Sequence, residues 1–228
     1  MQNDNSSVVR WISIGIIVVA VIIGGAIIFV NRNNSPSSTT NVSKADISKV
    51  DTTTGPFVGD KNAPAIAFWS DYQCPFCKQA DQGAMKQIYD EYVKTGKLKI
   101  VYKDFVFLGA DSVTVALAER AVWEAAPEKF YEWHEAMYAK QDGENSGWGN
   151  KADILAMTKS LGIDDAKVAK LMDEKAGQYQ AAIDADKTEG TSQGISATPS
   201  FVVGKQFVEG AVPYATIKAA IDAALAGK

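Results

Sequence analysis

The hydrophobic pattern changes character along the chain. Residues 11–30 form an uncharged apolar run, WISIGIIVVAVIIGGAIIFV, whereas residues 31–54 are rich in Asn, Ser and Thr and poor in apolar side chains. From about residue 55, short apolar runs alternate with stretches whose apolar residues recur every three or four positions, as in strands and amphipathic helices. We therefore expect a short tail (1–10), a transmembrane helix (11–30), a flexible polar tether (31–54) and one globular domain (55–228).

The apolar run has the length of a signal-anchor rather than of a cleaved signal peptide. Twenty helical residues span about 30 Å, one hydrocarbon core, whereas a signal peptide has an apolar region of about 7–15 residues before a small-residue cleavage site. Arg10 precedes the run and Arg32 and Lys44 follow it, so flanking charge does not decide the orientation. Because long domains translocate largely regardless of flanking charge, we expect a single-pass protein of the cell membrane with its domain on the extracytoplasmic side.

The domain pattern predicts an α/β fold in the order β-α-β, helical block, β-β-α. The first unit implies a parallel strand pair with a right-handed crossover. An alternative for part of the tether is a short helix around Ile47 to Val50 that packs on the domain. The predicted elements are strands at 65–70, 98–103, 200–203 and 206–209, a helix at about 75–94, helical patterns at 112–125, 128–140, 151–161, 164–174 and about 178–189 within an insertion of about 104–190, and a last helix from Pro213.

Composition narrows the function classes. The net charge is −4 and the pI is about 5.1, and no basic cluster is present, so nucleic acid is not an expected partner. The single histidine, His134, excludes a His-rich metal site within one chain, and its aromatic neighbours favour a structural role. A domain of about 170 residues buries a full core without disulfide staples. The cysteines are therefore not needed as a scaffold.

The two cysteines of the chain form a CxxC pair, Cys74-Pro75-Phe76-Cys77, between a buried strand and a long helix. Unpaired N–H groups and the helix dipole at a helix N-terminus favour the thiolate, which is the reactive form. We expect Cys74 to be the exposed nucleophile, Cys77 the shielded resolving thiol, and the two to form a redox-active disulfide. A tetrahedral zinc site would need a second pair of ligands, so no metal is expected, and no other cofactor is expected. A purely structural disulfide is also disfavoured, because closing so short a loop contributes little stability.

Four neighbours of the pair are further candidates. Tyr72 and Phe76 flank the cysteines and could form an apolar surface for unfolded substrates, although either could belong to the core. Asp71 could assist proton transfer, but an acid at a strand end is more often a cap or turn residue. Lys78 could lower the pKa of Cys74, with a solvated surface lysine as the alternative.

The segment FWSDYQCPFCKQ, the helical insertion and the later GISATPSF segment (194–201) together resemble the DsbA-like branch of the thioredoxin fold. Among its members, the membrane-anchored, Gram-positive-type (BdbD-like) proteins are the most similar in character. The resemblance implies a thioredoxin fold from about residue 55 and a cis peptide bond at Thr198-Pro199 beside the cysteines. It also implies that Thr198 and Pro199 shape a groove where an extended substrate binds by backbone hydrogen bonds. The implied redox partner is a membrane enzyme that re-oxidises the pair with quinone.

Two positions depart from the family pattern. Many thioredoxin-like proteins carry a buried acid six residues before the first cysteine, where this chain has Phe68. The strongly oxidising bacterial enzymes carry Pro-His between the cysteines, where this chain has Pro-Phe, so no imidazole stabilises the Cys74 thiolate. We therefore expect a milder oxidant than those enzymes.

The sequence thus predicts a membrane-anchored thiol–disulfide oxidoreductase that forms disulfides in reduced or unfolded exported proteins. A reductase or isomerase on the same fold is one alternative, and it would have a lower reduction potential. An anchored chaperone or adaptor with incidental cysteines is another, and it would keep its activity without Cys74. Metal delivery is a third, and it would require stoichiometric copper or zinc on the domain.

Overall fold

The computed structural model describes residues 45–227, so the predicted membrane segment at 11–30 lies outside the described residues. None of the helices between residues 45 and 227 is long and apolar enough to cross a bilayer. In chain order the elements are a 3-10 turn Ile47–Lys49, β1 Phe57–Val58, β2 Ala65–Ser70, α1 (residues 75–93), β3 Lys99–Asp104, α2 Ala110–Ala125, a 3-10 turn Pro127–Lys129, α3 Phe130–Lys140, α4 Lys151–Ser160, α5 Asp165–Glu174, α6 Ala176–Ser192, β4 Ser200–Val203, β5 Gln206–Glu209 and α7 Tyr214–Ala226.

A five-stranded sheet lies at the centre, in the order β1-β3-β2-β4-β5. Strands β2 and β3 are parallel, with Ala65 opposite Lys99 and Ser70 opposite Asp104, and the other neighbouring pairs are antiparallel. Five of the six residues of β2 are buried, as expected for a central strand covered on both faces. The predicted α/β thioredoxin-like fold with a helical insertion between β3 and β4 is confirmed.

Alternating residues of β2 contact two separate apolar clusters, one on each face of the sheet. Ile66 and Phe68 belong to the larger cluster, which also contains residues of α1, α7 and the insertion. Ala67 and Trp69 belong to the smaller one. Helix α6 approaches this second face so closely that a Cβ at Gly190 would lie 2.7 Å from the Trp69 indole nitrogen. The glycine inside this helix is therefore required by packing.

The second face also corrects the predicted tether. Ala45 and Val50 are buried in the smaller cluster, and the Ile47 N–H donates to the Gly204 carbonyl at 2.7 Å. The polar residues that made this segment resemble a linker form its turns, because the Asp46 and Asp51 carboxylates accept nearby N–H groups. Residues 45–54 are thus part of the domain, as in the alternative of a short packed helix, whereas 31–44 lie outside the described residues.

Helix α1 has the predicted extent but not a uniform geometry. It consists of consecutive α and π segments, Pro75–Ala80, Asp81–Met85 (π), Lys86–Ile88 and Tyr89–Val93 (π). The other elements agree with the predictions to within about two residues, apart from α6, which is longer at both ends, and the two-residue strand β1, which was not predicted.

A cluster of buried ion pairs fastens α2 and α6 to β3. The Arg120 guanidinium donates to the Asp104 carboxylate at 2.9 Å and also contacts Asp186. Lys103 pairs with Asp186 at 2.9 Å. Because each buried charge here has an opposite partner, the cluster holds the insertion against the sheet, and removing one member would leave another uncompensated.

Candidate active site

The reactive pair occupies the first turn of α1, as the sequence predicts. Cys74 is the N-cap residue with extended backbone angles (φ −76°, ψ 118°), and Pro75 takes the first helical position, where its missing N–H leaves no gap. The Cys77 N–H donates to the Cys74 carbonyl at 3.1 Å. Both cysteines are free thiols in this structure. Cys74 is 5% exposed, less than the sequence suggests, and Cys77 is fully buried.

The surroundings shift the two thiols in opposite directions. The hydrogen bond from Cys77, helped by Thr198 and the N–H groups of Cys77 and Phe76, lowers the pKa of Cys74 to about 6 in spite of burial. Burial raises the pKa of Cys77 well above its ordinary value, and the neighbouring Cys74 adds to this effect. At neutral pH the pair therefore consists of one thiolate and one thiol, which is the arrangement that thiol–disulfide exchange requires.

The segment that precedes β4 meets the reactive sulfur. The Thr198-Pro199 peptide bond is cis, as the resemblance implies. The Cys74 Sγ lies 3.6 Å from the Thr198 carbonyl oxygen, to which the thiol donates when it is protonated. The backbone of Thr198 thus lies beside the sulfur, where it could also bond to a chain that presents a cysteine.

Asp71 organises the turn between β2 and α1. Its carboxylate accepts the N–H groups of Gln73, Phe107 and Leu108 and the hydroxyl of Ser112, at 2.6–3.2 Å. With four donors on one buried carboxylate, its acceptor positions are occupied. This geometry matches the cap-or-turn interpretation of Asp71 rather than the proton-transfer hypothesis.

Tyr72 is not part of a substrate surface, and this prediction is wrong. The side chain is 6% exposed, and its hydroxyl donates to Glu119 at 3.0 Å and contacts His134 Nδ1 at 2.5 Å. The other ring nitrogen of His134 lies 3.0 Å from the Asp81 carboxylate in the π segment of α1. His134 is fully buried within this series of hydrogen-bonded side chains, in agreement with the structural role expected of it.

Lys78 has a different contact from the one proposed for it. Its ammonium group donates to the backbone carbonyl of Gln141 at 3.0 Å, at the end of α3, and its charge is not among the main causes of the lowered Cys74 pKa. No pattern in the sequence singles out Gln141. It lies 67 residues after Cys74, and its side chain bonds to the Cys74 carbonyl.

Phe76 and Phe107 are the large apolar side chains that the described residues expose most, at 61% and 50%. Phe76 lies between the cysteines and was predicted to contact substrates. Phe107 follows β3, and the carboxyl ends of the parallel strands β2 and β3 share one edge of the sheet. Both residues therefore follow strands at this edge, and the Phe107 N–H donates to the carboxylate of Asp71, in the turn that leads to α1. No sequence pattern indicated Phe107, because its position depends on strand pairing.

Comparison with known proteins agrees with this geometry. A family model described as thioredoxin matches residues 51–223. Disulfide bond formation protein D of Bacillus subtilis is 27% identical over 177 residues, covering 76% of this chain and 78% of that protein.

Two solved structures extend the comparison. The thiol-disulfide exchange protein alpha-DsbA2 from Wolbachia pipientis superimposes with a TM-score of 0.69 at 26% identity, covering 83% of this chain and 99% of that one. Oxidised BdbD from Bacillus subtilis has a TM-score of 0.70 at 24% identity, covering 81% and 97%, and supports the fold. The chain belongs to the thioredoxin family, and within it to the DsbA-like thiol–disulfide oxidoreductases.

Proposed function

We propose that this protein forms disulfide bonds in exported proteins, using Cys74 and Cys77 as its redox pair. One observation is central to the proposal: Cys74 is the N-cap residue of α1, next to the buried Cys77 thiol, and these surroundings lower its pKa to about 6. A stabilised thiolate favours the reduced form of the pair, and a pair that is stable when reduced gives up its disulfide readily. The relative from Bacillus subtilis is named for disulfide bond formation, which supports this direction of electron flow.

The chemistry follows from the two environments. A substrate thiolate attacks the Cys74 sulfur of the closed pair, the S–S bond breaks, and Cys77 leaves with the electron pair and takes up a proton. A second substrate thiolate then attacks the substrate sulfur of the mixed disulfide, and Cys74 leaves as a stable thiolate. Two electrons pass from the substrate to the pair. The buried Cys77, held as a thiol, does not readily reverse the first step.

We propose that substrates bind as extended segments beside Thr198, whose backbone lies next to the reactive sulfur. Pro199 shapes the adjacent groove, and the exposed ring of Phe76 offers apolar contact to unfolded chains.

The proposed setting is the outer face of the cell membrane, with the anchor at 11–30 and a tether that leads to the domain at about residue 45. Its support is the length of the uncharged apolar run and the use that an oxidising compartment makes of a disulfide-forming site. Turnover requires an oxidant for the reduced pair, and a quinone-linked membrane enzyme fits this role.

The decisive experiment measures the reduction potential of the pair and the oxidative refolding of a reduced test protein by wild type and Cys74→Ser. Because Pro-Phe replaces Pro-His, we expect a potential between about −120 mV (DsbA) and about −270 mV (thioredoxin). We also expect accelerated refolding that is lost in Cys74→Ser, and a disulfide state in cells when thiols are trapped by a membrane-impermeant alkylating reagent. A potential at or below that of thioredoxin would indicate a reductase. Full activity of Cys74→Ser would indicate a chaperone.

A further inference from the structure

The side chain of Gln141 is bonded to the segment that leads into α1. Its carboxamide nitrogen donates to the carbonyl oxygens of Tyr72 at 2.7 Å and of Cys74 at 3.0 Å. Gln141 follows directly after α3 and is 9% exposed, and its own backbone carbonyl accepts the Lys78 ammonium group. Gln141, a residue of the insertion, thus contacts the main chain of Tyr72 and Cys74 and the side chain of Lys78.

The Cys74 carbonyl is the first acceptor of α1, because it also receives the N–H groups of Cys77 at 3.1 Å and Lys78 at 3.2 Å. An N-cap residue must keep extended backbone angles for its side chain to face the unpaired N–H groups of the first turn. Cys74 has these angles, and the backbone N–H groups of Phe76 and Cys77 contribute to the lowered pKa of its thiol, although its side chain makes no capping hydrogen bond. Holding the carbonyls of residues 72 and 74 therefore holds the sulfur at the helix N-terminus.

We propose that Gln141 is a positioning residue for thiol–disulfide exchange, which fixes Cys74 at the N-terminus of α1 through its two side-chain hydrogen bonds. Gln141 does not contact the reacting atoms; it acts through the backbone of Cys74. The inference rests on exchange at Cys74, which the proposed function shares, but not on the direction in which electrons flow. It gives the helical insertion a direct part in the acidity of the thiol.

Gln73 provides a matched control. Like Gln141, it is a buried glutamine beside the site whose side chain makes two hydrogen bonds. Its partners, however, are in the loop after α3. Its side chain donates to the Trp148 carbonyl at 3.2 Å and accepts the Asn145 N–H at 2.9 Å. Removing the Gln73 carboxamide frees the loop from the site without removing a bond to the Cys74 carbonyl.

The test compares the reduced full-length wild type with Gln141→Leu, Gln141→Glu and Gln73→Leu. Thiolate absorbance gives the pKa of Cys74, the rate of alkylation gives its pH profile, and thermal unfolding is followed in the same samples. We expect Gln141→Leu to raise the pKa of Cys74 by about half a unit to one unit, and alkylation at pH 6 to slow about two- to fivefold. Gln141→Glu should have at least this effect, because an ionised carboxylate cannot donate and repels the thiolate. Gln73→Leu should leave the pKa unchanged.

A folded Gln141→Leu with lower thermal stability but an unchanged Cys74 pKa would show that Gln141 is structural only. An equal pKa shift in Gln73→Leu would show that general loosening, and not these two bonds, causes the effect. Should Gln141→Leu fail to fold, Gln141→Met takes its place in the comparison, because it also lacks a donor, whereas Gln141→Glu changes the charge as well. A wild-type Cys74 that ionises like free cysteine would contradict the proposed function itself, so the two failures are distinguishable.

Discussion

The two ends of the first turn of α1 place the same side chain in opposite surroundings. At the start of the turn, the Cys77 thiol and the N–H groups of Cys77 and Phe76 lower the pKa of Cys74, which is followed two residues later by the exposed Phe76. One turn further on, Cys77 is fully buried. Phe68 lies in the same apolar cluster as Cys77, and its ring stacks on Phe201 at a centroid distance of 4.9 Å. The helix start favours the charged form of a thiol, and the core favours the neutral form.

This difference assigns the roles without any additional catalytic group. The pKa of Cys74 is lowered to about 6, whereas burial raises that of Cys77 well above its ordinary value. About one turn of helix, with two residues in between, therefore separates the better leaving group from the thiol that stays protonated. The assignment depends on position in the fold and not on residue type, so substitutions that change one environment should change one role.

The largest expected effect comes from removing the inner member of the pair. Cys77→Ala cannot form the internal disulfide, so oxidation of reduced substrates should be abolished. Its Cys74 thiolate can still attack the disulfide of an oxidised substrate and release one substrate thiolate, and this mixed disulfide should accumulate because no Cys77 thiol resolves it. Because the Cys77 side chain is the main cause of the lowered pKa of Cys74, that pKa should also rise by about one unit or more. Non-reducing gel electrophoresis and thiolate absorbance measure the two outcomes. A Cys74 that still ionises near pH 6 in this variant would show that the helix N-terminus alone suffices.

The pH dependence of the reduction potential should separate the two thiols. Below about pH 6, reduction takes up two protons and the potential should fall by about 60 mV per pH unit; above it, only Cys77 takes up a proton and the slope should halve to about 30 mV. The stability of the folded, reduced protein should depend on the same ionisation of Cys74. The lowered pKa of Cys74 stabilises the folded dithiol form fully above its unfolded value of 9.0, and this stabilisation is lost as pH falls to about 6. A single slope of about 60 mV per pH unit across this range would mean that Cys74 stays protonated above pH 6, so that its pKa is not lowered.

The sequence pattern around the cysteines was sufficient to predict the position of Cys74 at the start of a helix. An apolar run, a CxxC pair and a helical period place a cysteine at a helix N-terminus, and each signal lies within about twenty residues. The longer strands and the helices of the insertion could be predicted for the same reason, because their hydrophobic patterns also lie within short segments. Strand β1 has two residues, too few to show a period, and it exists because Phe57 pairs with Val101. The segment 45–54 was misjudged because its polar side chains bond to their own backbone, which resembles a linker in composition.

The surroundings of the pair could not be predicted, because they come from distant parts of the chain. Gln141 bonds to Cys74 across 67 residues, and Phe107 bonds to Asp71 across 36. Nothing in the composition of a polar loop singles out one glutamine. Tyr72 flanks the cysteines in the sequence, which suggests a substrate surface as much as a core position, but Glu119 and His134, from two insertion helices, enclose its hydroxyl.

A substitution between the cysteines should sharpen the contrast. In Phe76→His, a protonated imidazole at the exposed end would stabilise the Cys74 thiolate and leave buried Cys77 little affected. We expect the pKa of Cys74 to fall by about one further unit and the potential to rise by about 30 mV, a tenfold change in the equilibrium with glutathione. Phe76→Gln serves as the control for loss of the aromatic ring. An equal rise of the potential in Phe76→Gln would assign the effect to the ring and not to imidazole charge.

The smallest expected effect concerns the apolar rim at the exposed end. Phe107 is 50% exposed, and its ring contacts Phe105 at a centroid distance of 6.1 Å. If this ring contacts unfolded substrates, Phe107→Ala removes about 1 kcal/mol of apolar contact, and KM for a reduced protein should rise about fivefold. The reaction with glutathione, which is too small to reach the ring, should not change. Because the Asp71 bond involves the Phe107 backbone, the turn should remain intact in this variant. Equal losses with both substrates would therefore place the effect of Phe107 on the thiols themselves and not on substrate contact.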